Sequence, residues 1–467
     1  MTLELRHWDG EWPTHPQELV RARSVEDVVA VMKDADRYPA PVRPHGSGHS
    51  PANCRGADGG TVIDMLAMNR VVDIGGETAT FEAGMLYIDT AKELERRGLQ
   101  HYVNTEIGSL TVGSAACCQT KDAAMPGEHG QLSAYVTGMK IVTPTGDVVE
   151  ITEDEPELLQ AARSSFGLFG VVVEVTFRVQ PLQQLAVEHK TFKTGDLVER
   201  LSELVARDRS LMMYFFPFID RVLVEFRHYT GMATSPGRPN RASWRLRNYT
   251  WRTITPAAAQ IAERLPRRMR GPAIDGFDHV LHVMTDRVIA STKTVPPDQM
   301  IRYPHQAGWT AFTSSIWALP EETFRTALPE YRDFVKRYDS AHGWRPNLPA
   351  VGYRQEQDQS SLLSYSWDGP VLTIDPVSTL RPGWYEFLEE FNQFCSERGG
   401  SPLINQTPGL TREHVERAFG DRLQTLEEHR RRFDPDDRLL STYFRDLLPV
   451  TSSAPRGQGA KATSREK

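Results

Sequence analysis

Arg43 to Ser50 reads RPHGSGHS, and this loop decides how the rest of the chain is read. Its two glycines let the backbone turn tightly enough to point successive amide N–H groups at one anion. Such a nest suits a pyrophosphate, although a plain strand-to-helix turn has the same composition. The neighbours weigh toward the nest. Downstream come TVIDM from Thr61, MNRVVDI from Met68, FEAGM from Phe81 and SLTVGS from Ser109. The small residues of the last let the backbone approach a flat cofactor closely. His45 and His49 stand four apart, but a glycine loop is not a helix, so the spacing does not aim both imidazoles at one ion and no metal is expected.

Around the loop, from Pro16 to about Leu182, short β-branched or apolar runs alternate with helical stretches. VEDVVAVMKDA reads as a helix, YIDTAKELERRG as a helix stopped at Gly98, GMKIVTPTGDVVEI as a hairpin across Pro144 to Gly146, and GVVVEVTFRVQPL as a strand. This is an α/β region. Beyond Leu182 the texture changes to aromatic strands, LMMYFFPF and RVLVEFRHY, followed by a polar stretch, Thr230 to Arg241, that reads as a loop. A second domain is expected from there. REHVERAFGDRLQTLEEHRRRFDPDD has helical periodicity and stops at Asp434-Pro435, and LLSTYFRDLL adds a last amphipathic piece. The Ser-, Ala- and Lys-rich tail from Thr451 is expected to be disordered.

A chain of 467 residues exceeds what a single apolar core serves, so two or three domains are expected. With 54 basic and 61 acidic side chains and a net charge of -7, the surface has no general attraction for polyanions, and nucleic acid is not an expected partner. The basic cluster RLPRRMR, Arg264 to Arg270, reads as a solvated helix end. Cys54, Cys117, Cys118 and Cys395 form no C-x-x-C pair, which fits a reducing compartment. The start lacks an apolar leader, and no run approaches the roughly 18 apolar residues of a span. The expectation is a soluble cytoplasmic protein without a membrane partner.

The ordered set RPHGSGHS, TVIDMLAMNRVV, FEAGM, LTVGS, GDVVEI and FGLFGVVVEVTFRV resembles the vanillyl-alcohol oxidase (PCMH-type FAD-binding) superfamily, and most closely its sugar-lactone and alditol oxidase branch. The likeness continues through MYFFPFIDRVLVE, YRQEQDQSSLLSYS and FDPDDRLLSTYFRDLL, covering nearly all of residues 7 to 448. It implies an α+β fold with a PCMH-type FAD-binding domain of two α/β subdomains over residues 1–182. An inserted antiparallel-sheet substrate domain would span 183–410, carboxy-terminal helices would return to the FAD domain over 411–450, and 451–467 would be the tail. The implied activity is that of a FAD-dependent oxidoreductase taking hydride from a CH–OH or similar C–H group of a small organic molecule, with dioxygen or another acceptor taking the electrons.

By the same resemblance, the pyrophosphate would sit on the backbone of His45, Gly46, Ser47, Gly48, His49 and Ser50, with Arg43 and Pro44 also among the cofactor-binding residues. Val112, Gly113, Ser114, Gly130, Leu132, Ser133 and Val173 would line the dinucleotide. Relatives with GSGHS bond the histidine at the place of His49 to the flavin's dimethylbenzene ring, a role that suits a neutral imidazole nucleophile. The cysteine that gives some relatives a second attachment is Ser109 here, so single attachment is expected.

The substrate half departs from the family. The branch places a Glu and an Arg two apart on one strand; the Arg matches Arg354, whereas the Glu falls on Gly352. Residues two apart share a face of a strand, so Glu356 restores a carboxylate beside Arg354, unless YRQEQD is simply a surface strand of alternating charge. Tyr353 is the other candidate base. The family's lysine is gone from Leu403 to Gln406, leaving Gln406 as the candidate at that place, and Lys121 stands where a histidine is usual, preceded by Cys117 and Cys118. With these polar groups changed and Tyr214, Phe215, Phe216 and Phe218 offering rings, sugar alcohols and aldonolactones are expected to be poor substrates. An oxidative tailoring enzyme, cyclising or isomerising its substrate, and a flavin-binding protein without catalysis remain as alternatives.

Overall fold

The computed structural model describes residues 3–207, 209–232, 241–288, 293–304, 308–379 and 382–449. Tail residues 451–467 and most of the Thr230 to Arg241 stretch therefore lie outside the described residues. The fold is α+β and is built on three sheets. In the first, Thr61–Asp64 lies between Glu18–Arg21 and Val42–His45, all parallel. Helix Val25–Lys33, capped by the Ser24 hydroxyl, buries Val28, Val31 and Met32 at helical spacing, and with Val42 and Ile63 they form one small core.

The second sheet is antiparallel, in the order Val71–Ile74, Thr78–Glu82, Val171–Pro181, Val136–Val142, Val148–Thr152, with Leu99–His101 also pairing on Val171–Pro181. The glycine of FEAGM joins it to the first sheet. A Cβ on Gly84 would overlap the Met65 carbonyl, so only glycine lets the two backbones pass.

The third sheet is antiparallel and larger. Its order is Lys293–Thr294, Gln183–Phe192, Arg221–Met232, Ser210–Phe216, Leu348–Gln355, Val371–Ser378, Trp317–Pro320, Ser401–Pro402, with Thr313–Ser314 beside Val371–Ser378. The strands on either side of Leu182 thus belong to different sheets. Along Ser210–Phe216 the side chains alternate. Leu211, Met213 and Phe215 pack with helices Thr194–Val205, Glu321–His342 and Trp384–Ser396, while Met212, Tyr214 and Phe216 point the other way. After Thr411 the chain returns to the second sheet, where Val415, Phe419, Leu423, Leu426, Phe444 and Leu447 share a core with Phe81, Phe166 and Phe177.

One local reading changes. The periodic stretch after Thr411 is two helices, Arg412–Phe419 and Arg422–Phe433, because Gly420 takes a positive φ of 51° between them. RLPRRMR closes the helix Thr255–Glu263 at its C-cap Arg264, as a helix end, and after a turn also opens the helix Arg267–Val288. Among the described residues, no helix is long and apolar enough to cross a membrane.

Candidate active site

Strand Val42–His45 delivers the glycine loop to the surface of the first sheet. Gly48 has φ +70°, and a Cβ there would come within 2.6 Å of the Arg55 guanidinium. The amino terminus straps the loop down. The Trp8 N–H donates to the Gly48 carbonyl (3.2 Å), His7 Nδ1–H to that of Ser50 (2.6 Å) and Trp12 Nε1–H to that of Pro51 (2.6 Å). The Trp8 ring sits 5.0 Å from the His49 ring. The Ser109 hydroxyl accepts the Tyr303 N–H (3.1 Å) and lies 2.9 Å from His49 Nε2, so its own proton is placed to donate to that nitrogen.

Two buried arginines flank this loop. Arg43 donates to the carbonyls of Leu439 (3.0 Å), Cys54 (3.0 Å) and Phe166 (2.7 Å), and Arg55 to that of Arg6. Among the described residues neither makes an ion pair, and each has a buried Nε without a partner. Burial pushes the Arg55 guanidinium down to about 10 and lowers Arg43 as well. Two unpaired cations beside a nest of amides fit a diphosphate.

The loop opens on a cavity of about 1660 Å³ of atom-free space, mouth included. Beyond the loop and the arginines, its wall includes Ala83, Thr111, Gly113, Ser114, Cys117 and Cys118. A second part of the wall is polar and ring-lined, with Glu106, Lys121, Tyr214, Trp251, Tyr303, Phe312, Tyr353, Asp375 and Gln406. Lys121 Nζ lies 2.8 Å from Asp375 Oδ2 and 3.7 Å above the centre of the Tyr353 ring. Asp375 Oδ1 is buried without a hydrogen-bond partner. Desolvation lowers the Lys121 ammonium and raises the Asp375 carboxyl, so each is driven toward its neutral form. Behind the wall, Arg247 joins Glu106 (2.8 Å) to the Tyr214 hydroxyl (3.0 Å), and Arg227 bridges Asp122 and Glu225 (2.6 Å each). Glu225 also meets His189 at 3.0 Å, and the neighbouring cations hold its carboxyl well below the ordinary range against the cost of burial. This network fixes the rings that face the cavity.

The residues read from the sequence divide. Arg43, Pro44, Gly46, Ser47, Gly48, His49, Ser50, Gly113 and Ser114 line the cavity. His45 turns beneath the loop to the Arg55 carbonyl (2.8 Å), and Val112, Leu132 and Val173 pack in apolar cores. Gly130 abuts the Gln355 side chain, and Ser133 is buried against Gln131 (2.7 Å). Of the catalytic candidates, Tyr353 and Gln406 reach the cavity, the latter with its amide on the Gln119 carbonyl (2.6 Å).

Arg354 and Glu356 do not reach it. Met212 pairs with Tyr353 and Tyr214 with Val351, so the odd-numbered side chains share the cavity face and the even-numbered ones take the other. Arg354 is held there by Glu321 (2.8 Å) and Glu356 (2.5 Å), and a Cβ on Gly352 would strike Phe215 and the Thr373 carbonyl. The reading that 352, 354 and 356 share one face is sound, but the face is the wrong one, an error of one residue in register. Of the four rings expected, Tyr214 alone lines the cavity; Phe215 packs in the helix-covered core, Phe216 is buried, and Phe218 lies beneath Arg345.

Sequence reading missed Arg55, Glu106, Trp251, Tyr303, Phe312 and Asp375. Asp375 alone had a signal, a carboxylate inside the apolar strand VLTIDPVS. Among the described residues, no group of three or more His, Cys, Asp or Glu is arranged to hold a metal ion.

Comparison with known proteins matches residues 16–152 to a FAD binding domain and residues 175–447 to the D-arabinono-1,4-lactone oxidase family. L-gulono-1,4-lactone dehydrogenase of Mycobacterium tuberculosis is 25% identical over 452 residues, covering 95% of this chain and 98% of that one. L-gulonolactone oxidase of Scyliorhinus torazame is 21% identical over 459 residues, with the same coverage. The crystal structure of cholesterol oxidase from Brevibacterium sterolicum superposes with a TM-score of 0.74 at 16% identity, covering 96% of this chain and 97% of the other.

Proposed function

The chain belongs to the D-arabinono-1,4-lactone oxidase family of FAD-dependent oxidoreductases acting on CH–OH groups, and on that premise we propose how its own residues carry the reaction. The observation that carries the reading is the single cavity shared by the His49 loop and the Lys121–Asp375 pair. When bound, FAD supplies the two-electron acceptor that a C–H hydride requires. Arg43, Arg55 and the amides of Gly46 to Ser50 would hold its diphosphate. His49, held at Nε2 by the Ser109 hydroxyl, would carry the covalent attachment.

Asp375 Oδ1 takes the hydroxyl proton of the substrate as hydride leaves the adjacent carbon. Lys121 steadies the developing carboxylic acid and its partner oxygen, while Tyr353 and Gln406 orient the substrate. A buried carboxylate oxygen without a partner is costly unless something comes to use it, which disfavours a binding protein without catalysis. The rings of Tyr214, Trp251, Tyr303, Phe312 and Tyr353 favour a less polar alcohol over a sugar alcohol or aldonolactone. Dioxygen or another acceptor takes the electrons, and four free thiols fit a cytoplasmic setting. We take the FAD-binding part as discontinuous, residues 1–182 completed by 411–450, with 183–410 as the substrate part.

Anaerobic bleaching of the bound flavin by a panel of alcohols, lactones and amines tests this reading. Apolar secondary alcohols should bleach it faster than xylitol or L-gulono-1,4-lactone. Oxidation of either sugar compound with a specificity constant of about 10⁴ per molar per second or more would overturn the substrate reading.

A further inference from the structure

We propose that the helical excursion between strands Arg221–Met232 and Lys293–Thr294 carries a face that docks on an anionic lipid surface. Its described helices are Arg241–Tyr249, the π-turn Thr250–Ile254, Thr255–Glu263 and Arg267–Val288. In a chain of net charge -7, the stretch from Arg241 to Arg270 holds eight arginines and one acidic residue, Glu263. Arg247 is consumed by the buried pair with Glu106, whereas Arg245, Arg264, Arg267 and Arg268 are exposed.

Apolar side chains accompany them. Seven of the fourteen exposed large hydrophobic residues among the described ones lie between Leu246 and Val283, a concentration that scattered surface residues do not show. On helix Arg267–Val288, Met269, Val280 and Val283 are exposed with Gly276 between them, and their spacing puts all four on one face. Ile261 is 55% exposed on the preceding helix, and Arg264 lies 4.5 Å over the ring of exposed Trp309.

A solvated helix end explains the arginines and leaves the apolar row unexplained. A symmetric contact with a second copy buries the apolar row but sets arginines against arginines. An anionic lipid surface answers both features, since phosphates meet the guanidinium groups while Ile, Met and Val enter the headgroup boundary and the arginine stems lie along it. The same excursion supplies Trp251 to the cavity wall, so docking sets the cavity beside the lipid. The docking rests on the excursion alone and stands apart from the substrate reading.

Full-length holoprotein is sedimented with vesicles of phosphatidylcholine alone and of phosphatidylcholine with phosphatidylglycerol, beside size-exclusion chromatography with light scattering. Binding is expected on the anionic vesicles and to weaken with salt. Each arginine at such a surface contributes about fivefold (about 1 kcal/mol), so R264Q/R267Q/R268Q should bind about a hundredfold more weakly. I261E/M269E should also release the protein, with flavin content unchanged in both variants. Equal sedimentation on the two vesicle types, none on either, or binding indifferent to both variants would overturn the proposal. So would a dimer that I261E/M269E converts to monomer, since the face would then join two copies.

Discussion

The glycine loop and the substrate wall line one cavity, yet they were unequally legible, and the contrast shows where sequence carries chemistry. At Arg43 to Ser50 the proposed diphosphate contacts are backbone amides, and glycines mark the places where the backbone must turn or where a Cβ would strike Arg55 or Thr111. Such a requirement is written locally. On the wall, the lining depends on which side chains of strand Leu348–Gln355 face inward, and a shift of one residue exchanges Tyr353 for Arg354.

The contrast can be broken most violently by removing what closes the loop-bearing part. Truncation at Thr411 strips Val415, Phe419, Leu423 and Phe444 from the core around Phe81 and Phe166 and should abolish soluble, flavin-loaded protein, whereas truncation at Thr451 should leave it unchanged. Normal flavin loading in the Thr411 truncation, read from the visible spectrum, would show the closing helices to be dispensable.

On the wall, Asp375→Asn should slow anaerobic flavin reduction by the best alcohol about 10²- to 10⁴-fold, the usual range for a lost general base. Arg354→Ala, on the outer face, should change it by less than about threefold, since it removes a part-buried ion-pair cluster that does not face the cavity. Because burial raises the Asp375 carboxyl, its basic form is lost as pH falls through a value above the ordinary carboxylate range. Wild-type reduction should therefore decline on the acid side earlier than for an exposed carboxylate, and Asp375→Asn should lack that limb. A flat wild-type profile would remove Asp375 from the base's role.

Legibility followed the same physical line elsewhere. The strand at Thr61, the helix ended by Gly98 and the hairpin across Pro144 to Gly146 are carried by local periodicity and turn chemistry, and they lie where the sequence puts them. Trp251, Tyr303 and Phe312 come from a region of helices and short turns with no family motif, and only the tertiary arrangement stacks Trp251 on Tyr214 and sets Tyr303 against Phe312 in the same wall. Val172 rather than Val173 lines the cavity for the same reason as Tyr353: alternation is easy to see and its phase is not.

The smallest expected effect sharpens the loop side. Burial raises the Asp9 carboxyl on the amino-terminal strap to about 6. A carboxyl whose folded value lies above its unfolded one stabilises the fold at acid pH, and that contribution is lost as pH rises through about 6. Asp9→Asn should thus be more stable than wild type by at least about 1 kcal/mol near pH 8 and gain roughly half as much near pH 5, as thermal unfolding at the two pH values would show. An equal gain at both would mean that the carboxyl is not strained by burial.

The account as a whole turns on flavin held at His49 in the cavity that Asp375 shares. Acid-precipitated wild-type protein should keep its flavin, and digestion should place the flavin on the peptide containing His49, while His49→Ala should release it. Free FAD in the supernatant of acid-treated wild type would contradict the account.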